Sequence, residues 1–229
     1  MALKKSLGNM YNWVTHMHSH LAGECPHKCS YCYVQQNRFG VSPRYKGDPR
    51  LIETELDVNY GSGKTIFIEH MNDMFAAPLP AFWIQMILWH CEKYPLNKYV
   101  FQTKNPLRAL EFIDAFPRNF MIGTTIESNY IYRGTQAPIP TERYKGMLGL
   151  KDQKTFVTIE PIMDFDVECL SNWIISIKPA FVNIGADSKR CGFIEPSAKK
   201  ILKLIEKLAE NKITIRRKTN LSRLLKQKD

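Results

Sequence analysis

Three of the chain's six cysteines fall within eight residues, in the stretch GECPHKCSYCYV, at the spacing Cys25-x3-Cys29-x2-Cys32. Thiolates so placed bind soft or borderline metals. A zinc site usually closes its tetrahedron with four protein ligands, and the nearest fourth candidate, His27, lies inside the same short loop between two of the cysteines. A four-iron cluster takes one thiolate per iron, so three cysteines would leave one iron open for binding. Cys91, Cys169 and Cys191 stand alone and read as packing residues. No apolar signal core follows the first residues, so the expected compartment is the reducing cytosol, where thiols and metal ligands are commoner than a disulfide framework.

These residues need elements to hold them. Short apolar, β-branched or aromatic runs alternate with helical patterns, which is the signature of βαβ units around a parallel sheet. The expected strands are Trp13–His20, Thr65–Glu69, Tyr99–Thr103, Phe120–Ile126, Phe156–Glu160 and Phe181–Gly185, with a seventh at Ile213–Arg216. Helices are expected over Pro80–Glu92, Pro106–Ala115, Val167–Ile177 and Ser197–Glu210, the last with Ser197 as N-cap. Six such repeats predict an α/β fold, a partial (βα)6 TIM-like barrel, formed as a single domain over residues 1–229 with a basic last segment at 197–229. In such barrels function gathers at the carboxyl ends of the strands. The cysteines follow the first strand, and the Pro-, Gly- and Tyr-rich loops Gln35–Tyr60 and Glu127–Gly149 are expected as lids over that end. Gly61-Ser62-Gly63-Lys64-Thr65 mimics a phosphate loop, but it precedes a strand and lacks the earlier glycine, so it reads as an ordinary loop.

The formal net charge is +10, and residues 199–229 hold 11 Lys and Arg against 3 Asp and Glu. Such a segment either grips phosphates or is a solvated helix face. An apolar run of roughly 18 residues, the length of a membrane span, is missing from the sequence, so no membrane partner is expected.

The pattern Cys25-x3-Cys29-x-Tyr31-Cys32, placed after a first strand in a chain of βα repeats, resembles the signature of the radical S-adenosylmethionine superfamily. The stretches CPHKCSYCYV, IEHMNDMF, FQTKNP, IGTTIES, IEPIMDF and VNIGAD are similar to a small family first named from phage proteins and related to spore photoproduct lyase. The resemblance implies a [4Fe-4S] cluster on Cys25, Cys29 and Cys32, with S-adenosylmethionine chelating the open iron. It implies that Lys104 pairs with the carboxylate of that cofactor, that Asn72, at the end of the second strand, lies near its amino group, that Thr124, Thr125, Glu127 and Ser128 meet the ribose, and that the Tyr31 backbone meets the adenine. At the second strand the family usually has Gly-Gly-Glu, whereas this chain has Glu69-His70-Met71-Asn72-Asp73.

Glu69, Asp73, Glu127 and Glu160 each lie at or beyond a strand end, so a barrel would turn them toward one mouth. Four carboxylates there suit a cation and N–H donors, and a carboxylate matches the paired donors of a guanine-like edge. His16, His18 and His20 alternate along one strand and share a side. Without a further close ligand they read as pocket-lining hydrogen-bonding groups rather than a second metal site. Tyr33, Tyr130 and Tyr132 could stack on a base. The activity implied by the resemblance is that of a bacterial queuine lyase, which releases 7-aminomethyl-7-deazaguanine in salvage of a tRNA modification. Glu69, Asp73, Glu127, Glu160 and Asn183 would orient the base, and a flavodoxin or ferredoxin would give the electron. Two alternatives remain: a DNA or RNA lesion lyase with the basic segment on phosphate, and a non-catalytic iron–sulfur module.

Overall fold

The computed structural model describes residues 3–6, 11–37 and 39–226. The first strands are β1 (Lys4–Lys5), β2 (His16–His18), β3 (Leu21–Ala22) and β4 (Arg50–Leu51), of which β3 and β4 form a separate antiparallel pair. They are followed by β5 (Thr65–Ile68), β6 (Lys98–Thr103), β7 (Phe120–Thr125), β8 (Thr155–Ile159), β9 (Val182–Ile184) and β10 (Ile215–Arg217). The main sheet runs β1-β2-β5-β6-β7-β8-β9-β10. Every pair in it is parallel except β1 with β2. This is the expected α/β partial barrel, open between its first and last strands.

Helices return the chain between strands: α1 (Ala81–Glu92), α2 (Pro106–Leu110), α3 (Pro140–Gly149), α4 (Val167–Ile177), α5 (Ala198–Glu210) and a short α6 (Ser222–Leu225). Three begin on side-chain caps, with Asn105 accepting from Arg108 N at 3.4 Å, Asp166 from Cys169 N at 2.7 Å and Ser197 from Lys200 N at 3.3 Å. Helix α5 buries Ile201, Leu204, Ile205 and Leu208 on one stripe and leaves its lysines outside. No helix among the described residues is long and apolar enough to cross a membrane.

One large apolar cluster fills the space between sheet and helices, from Leu21 to Leu224. A second plugs the amino-terminal end of the barrel interior with Val14, Phe67, Val100, Phe156 and Phe181, covered by Tyr11 and Trp13. Strand β8 is buried on both faces, as a parallel strand between helices and a filled interior must be.

Four expectations need correction. Residues 127–149 are not all loop, because α3 occupies Pro140–Gly149; its polar surface hid it, although Pro140 at the first turn and Glu142 bonding back to Ile139 N at 3.1 Å are start signals. The first strand is far shorter than Trp13–His20, and the helix expected over Pro106–Ala115 stops at Leu110 and resumes as a 3-10 turn at Ile113–Ala115. The stretch 35–60 holds β4 and the 3-10 turns Pro43–Tyr45 and Glu53–Asp57, while Arg38 lies outside the described residues. The loop reading of Gly61 to Lys64 agrees with the structure, since Thr65 opens a strand.

Candidate functional site

The carboxyl ends of the parallel strands surround a cavity of about 1000 Å³. Cys25, Cys29 and Cys32 line it together with Tyr31, Asn72, Asp73, Lys104, Thr125 and Glu160. The cysteine loop leaves β3 through Gly23, whose φ of +83° and contact with the Asp48 carbonyl leave no room for a Cβ. None of the three thiols is in a disulfide. Burial pushes the Cys25 thiol up to about 12, with Asp73 adding to the rise, so a thiolate there needs a cation beside it.

Lys104 is one such cation. Burial alone would lower its pKa, but Cys29 and Glu127 together raise it. Its Nζ lies 3.7 Å from Glu127 Oε1 and 4.9 Å from the centre of the Tyr31 ring. Asn72 is 7% exposed; its Nδ2 donates to Gly23 O at 3.0 Å, and its Oδ1 has no partner among the described residues. A buried acceptor left bare on a cavity wall is the mark of a missing donor.

The four strand-end carboxylates do not face the cavity as a set. Glu127 is fully buried behind the wall, with Arg143 Nη1 at 2.6 Å and the Tyr31 hydroxyl donating to it. Burial opposes its ionisation, but Arg143 and Lys104 hold it below the usual carboxylate range. Asp73 accepts from Lys104 N at 2.7 Å, Phe75 N at 3.0 Å and the Thr103 hydroxyl at 3.0 Å, and pairs with His27 Nε2 at 2.8 Å. It therefore ties the cysteine loop to the end of β6, and it explains why His27 is not free to ligate. Glu69 accepts from His20 N at 2.6 Å and Leu21 N at 3.2 Å. Glu160 meets Lys218 Nζ at 2.7 Å and Asn220 Nδ2 at 3.1 Å, and Gly185 gives it space, since a Cβ there would lie 2.7 Å from its carboxyl. Glu69, Asp73 and Glu160 line the cavity and Glu127 does not, and each of the four carboxylates already has partners.

Of the three hydroxyls expected at the ribose, Thr124, Thr125 and Ser128, only Thr125 lines the cavity, where it accepts from Gln102 Nε2 at 2.9 Å. The Thr124 side chain donates to Thr103 O at 2.7 Å and Ser128 to Asp164 O at 2.5 Å, so both serve the backbone instead. Asn183 is buried off the cavity wall, donating to Thr158 Oγ1 at 3.2 Å. Tyr33 lines the cavity and donates to His70 O at 2.6 Å. Tyr132 packs on Tyr31, and Tyr130 is half exposed. His16, His18 and His20 do not line the cavity: β2 ends at His18, His16 bonds Thr15, and the other two turn toward α1.

Sequence reasoning missed Arg143 and His90. A single arginine in a polar helix and a single histidine in an apolar one carry no periodic signal, and only burial reveals them. The basic tail is also less free than its count suggests, since Lys200, Lys203, Lys207, Lys218 and Arg223 all pair with acids.

No protein-family model matches the chain, and no curated protein matches it. Solved structures do. SuiB of Streptococcus suis bound to precursor peptide SuiA aligns with a TM-score of 0.62 at 11% identity, over 88% of this chain and 48% of that one. This chain therefore spans about half the length of SuiB. A cysteine-to-serine variant of spore photoproduct lyase aligns with a TM-score of 0.62 at 9% identity, over 93% of this chain and 78% of the lyase. A double variant of the lyase with bound AdoMet and dinucleoside spore photoproduct aligns with a TM-score of 0.57 at 10% identity, over 90% and 64%. What the chain shares with them at such identities is the fold.

Proposed function

We propose that the protein is a radical S-adenosylmethionine enzyme, and that its reaction is a lyase cleavage of a small modified base, queuine. The observation that carries the superfamily reading is one cavity wall presenting three free thiols, a partly buried lysine and the bare Oδ1 of Asn72. The donor set fits the cofactors. Three cysteines leave one position open on a four-iron cluster, Asn72 Oδ1 is placed to accept from an ammonium, and Lys104 can pair with a carboxylate. When bound, the cluster and S-adenosylmethionine supply a 5′-deoxyadenosyl radical.

The chain's own residues do the rest. Cys25, Cys29 and Cys32 hold the cluster, and Asp73 fixes the loop that carries them through His27. Glu127 and Arg143 hold Tyr31 and Lys104 in place. Glu160 is the carboxylate best set to take the paired N–H donors of a guanine-like base, because each of its oxygens keeps a lone pair beyond its present bond. The cavity walls exclude water from the reacting carbon. A flavodoxin- or ferredoxin-type donor would reduce the cluster.

Two arms test this. Reconstituted protein incubated with S-adenosylmethionine and a reductant should form 5′-deoxyadenosine, and Cys29→Ala should form none. Its absence from the intact protein would leave only a non-catalytic iron–sulfur module. Adding queuine should yield 7-aminomethyl-7-deazaguanine; cofactor turnover without that product would reject this substrate and favour a nucleic-acid lesion, a class that one structural neighbour holds. Binding to DNA that falls steeply with added salt would point the same way.

A further inference from the structure

On the far side of β2 from the cavity, His18, His20 and His90 meet beneath α1, all buried. One ring nitrogen from each lies within 4.8 Å of the other two. One nitrogen of each ring faces an acceptor: His18 Nε2 lies 3.3 Å from Glu55 O, His20 Nδ1 2.8 Å from Glu69 Oε1, and His90 Nε2 2.9 Å from Val58 O. A carbonyl can only accept, so His18 and His90 donate from Nε2, and a carboxylate at Glu69 takes the N–H of His20. That choice of tautomer leaves lone pairs on His18 Nδ1, His20 Nε2 and His90 Nδ1. His20 Nε2 and His90 Nδ1 stand 2.7 Å apart. Two lone pairs at that separation repel unless a cation lies between them. The Tyr60 hydroxyl, itself buried, lies 3.1 Å from His20 Nε2.

An imidazole whose outer N–H is fixed by a carboxylate or a backbone carbonyl is how proteins orient metal-binding histidines. Burial also keeps these rings neutral, lowering His18 and His90 to about 4 and His20 to about 3, so they offer lone pairs rather than protons at neutral pH.

The geometry points to a binding site for a divalent transition metal of the zinc class on His18, His20 and His90, separate from the cysteine loop. Nitrogen donors without carboxylate oxygen in the inner set favour such an ion over magnesium or calcium. Three ligands leave a fourth position beside Tyr60 for water or the phenol. The ligands come from β2, the link after it and α1, with Val58 and Glu55 behind them, so the ion would staple β2, the segment 53–58 and α1. Nitrogens bonded at 2.0–2.1 Å to a tetrahedral ion lie about 3.3 Å apart, so loading widens the His20–His90 pair. The site does not depend on the proposed reaction.

The experiment is a metal count on the full chain with Cys25, Cys29 and Cys32 replaced by Ala, refolded with zinc or cobalt and desalted. About one ion per chain is expected, with the visible bands of four-coordinate, nitrogen-ligated cobalt. His20→Gln and His90→Gln should each lower zinc affinity by at least tenfold while circular dichroism shows an unchanged fold, and Glu69→Gln by about tenfold through the weakened, uncharged outer bond. If the cysteine-free chain does not fold, the cluster-loaded natural chain takes its place, and about one zinc beyond the iron is expected there. A folded protein that holds no metal, or zinc indifferent to His20→Gln, overturns the proposal. So does an infrared carboxylic-acid band lost in Glu69→Gln, since that proton would fill the His20–His90 gap.

Discussion

Glu127 and Glu69 are both buried carboxylates just past the ends of parallel strands, β7 and β5, yet their surroundings are opposite. Glu127 has Arg143 at 2.6 Å and Lys104 at 3.7 Å, and it is held ionised. Glu69 has no cation so close among the described residues; burial raises it to about 7, against the pull of the His20 and Leu21 backbone N–H groups. Its ring partner is a histidine that burial keeps neutral. The first region is held together by opposite charges, the second by a choice of tautomers. Burial alone therefore does not decide ionisation; the partner does.

The largest expected effect comes from breaking the charged region. Glu127→Gln strands the Arg143 guanidinium in the core and should cost about 3–5 kcal/mol in urea unfolding. Adding Arg143→Met to that variant should return most of the loss, since a buried pair replaced by apolar groups is often neutral. A double variant as unstable as the single one would show that Arg143 acts through its bonds to Pro138 O and Thr125 O instead.

The neutral region should be less sensitive. His90→Gln in the metal-free chain unpairs one or two buried groups and should cost about 1–3 kcal/mol. A cost above that of Glu127→Gln would reverse the comparison.

Acid should separate the two regions further. Glu127 has a folded pKa below its ordinary value of 4.5, so its contribution is fully present above that pH and is lost as pH falls through the folded value. Below pH 4.5 the natural protein should therefore lose up to about 1.4 kcal/mol per pH unit through this group, and the Glu127→Gln variant should show a shallower acid limb. Equal slopes would mean that Glu127 is not the ionised partner.

The smallest effect on stability is expected at Lys104, whose side chain is 17% exposed. Lys104→Met should change unfolding by about 1 kcal/mol or less, because Arg143 still compensates Glu127. S-adenosylmethionine binding, followed by equilibrium dialysis, should nevertheless weaken by tenfold or more through the lost carboxylate pair. Unchanged binding would remove Lys104 from the cofactor wall.

The cysteine loop is legible in the sequence because its chemistry is local: three thiols within eight residues need no long-range contact to be recognised. The barrel is legible for a similar reason, since alternating strand and helix periods dictate a parallel sheet. Helix α3 is not, because half its residues are polar and its first turn is marked by Pro140 rather than an apolar stripe. The strand-end carboxylates can be found by position, but their roles cannot be read the same way. Whether Glu127 faces a ligand or an arginine depends on Arg143, 16 residues away on that same polar helix.

By itself the sequence determined the ligand spacing, the order of the parallel strands, the N-cap at Ser197, and the aromatic runs that fill the barrel. Tertiary structure decided which polar groups meet. It brought His90 to His18 and His20, put Arg143 behind Tyr31, tied His27 to Asp73, and left Asn72 Oδ1 bare. The division is physical: backbone periodicity and turn chemistry act over a few residues and can be read in order, whereas charge pairing and tautomer choice act through space.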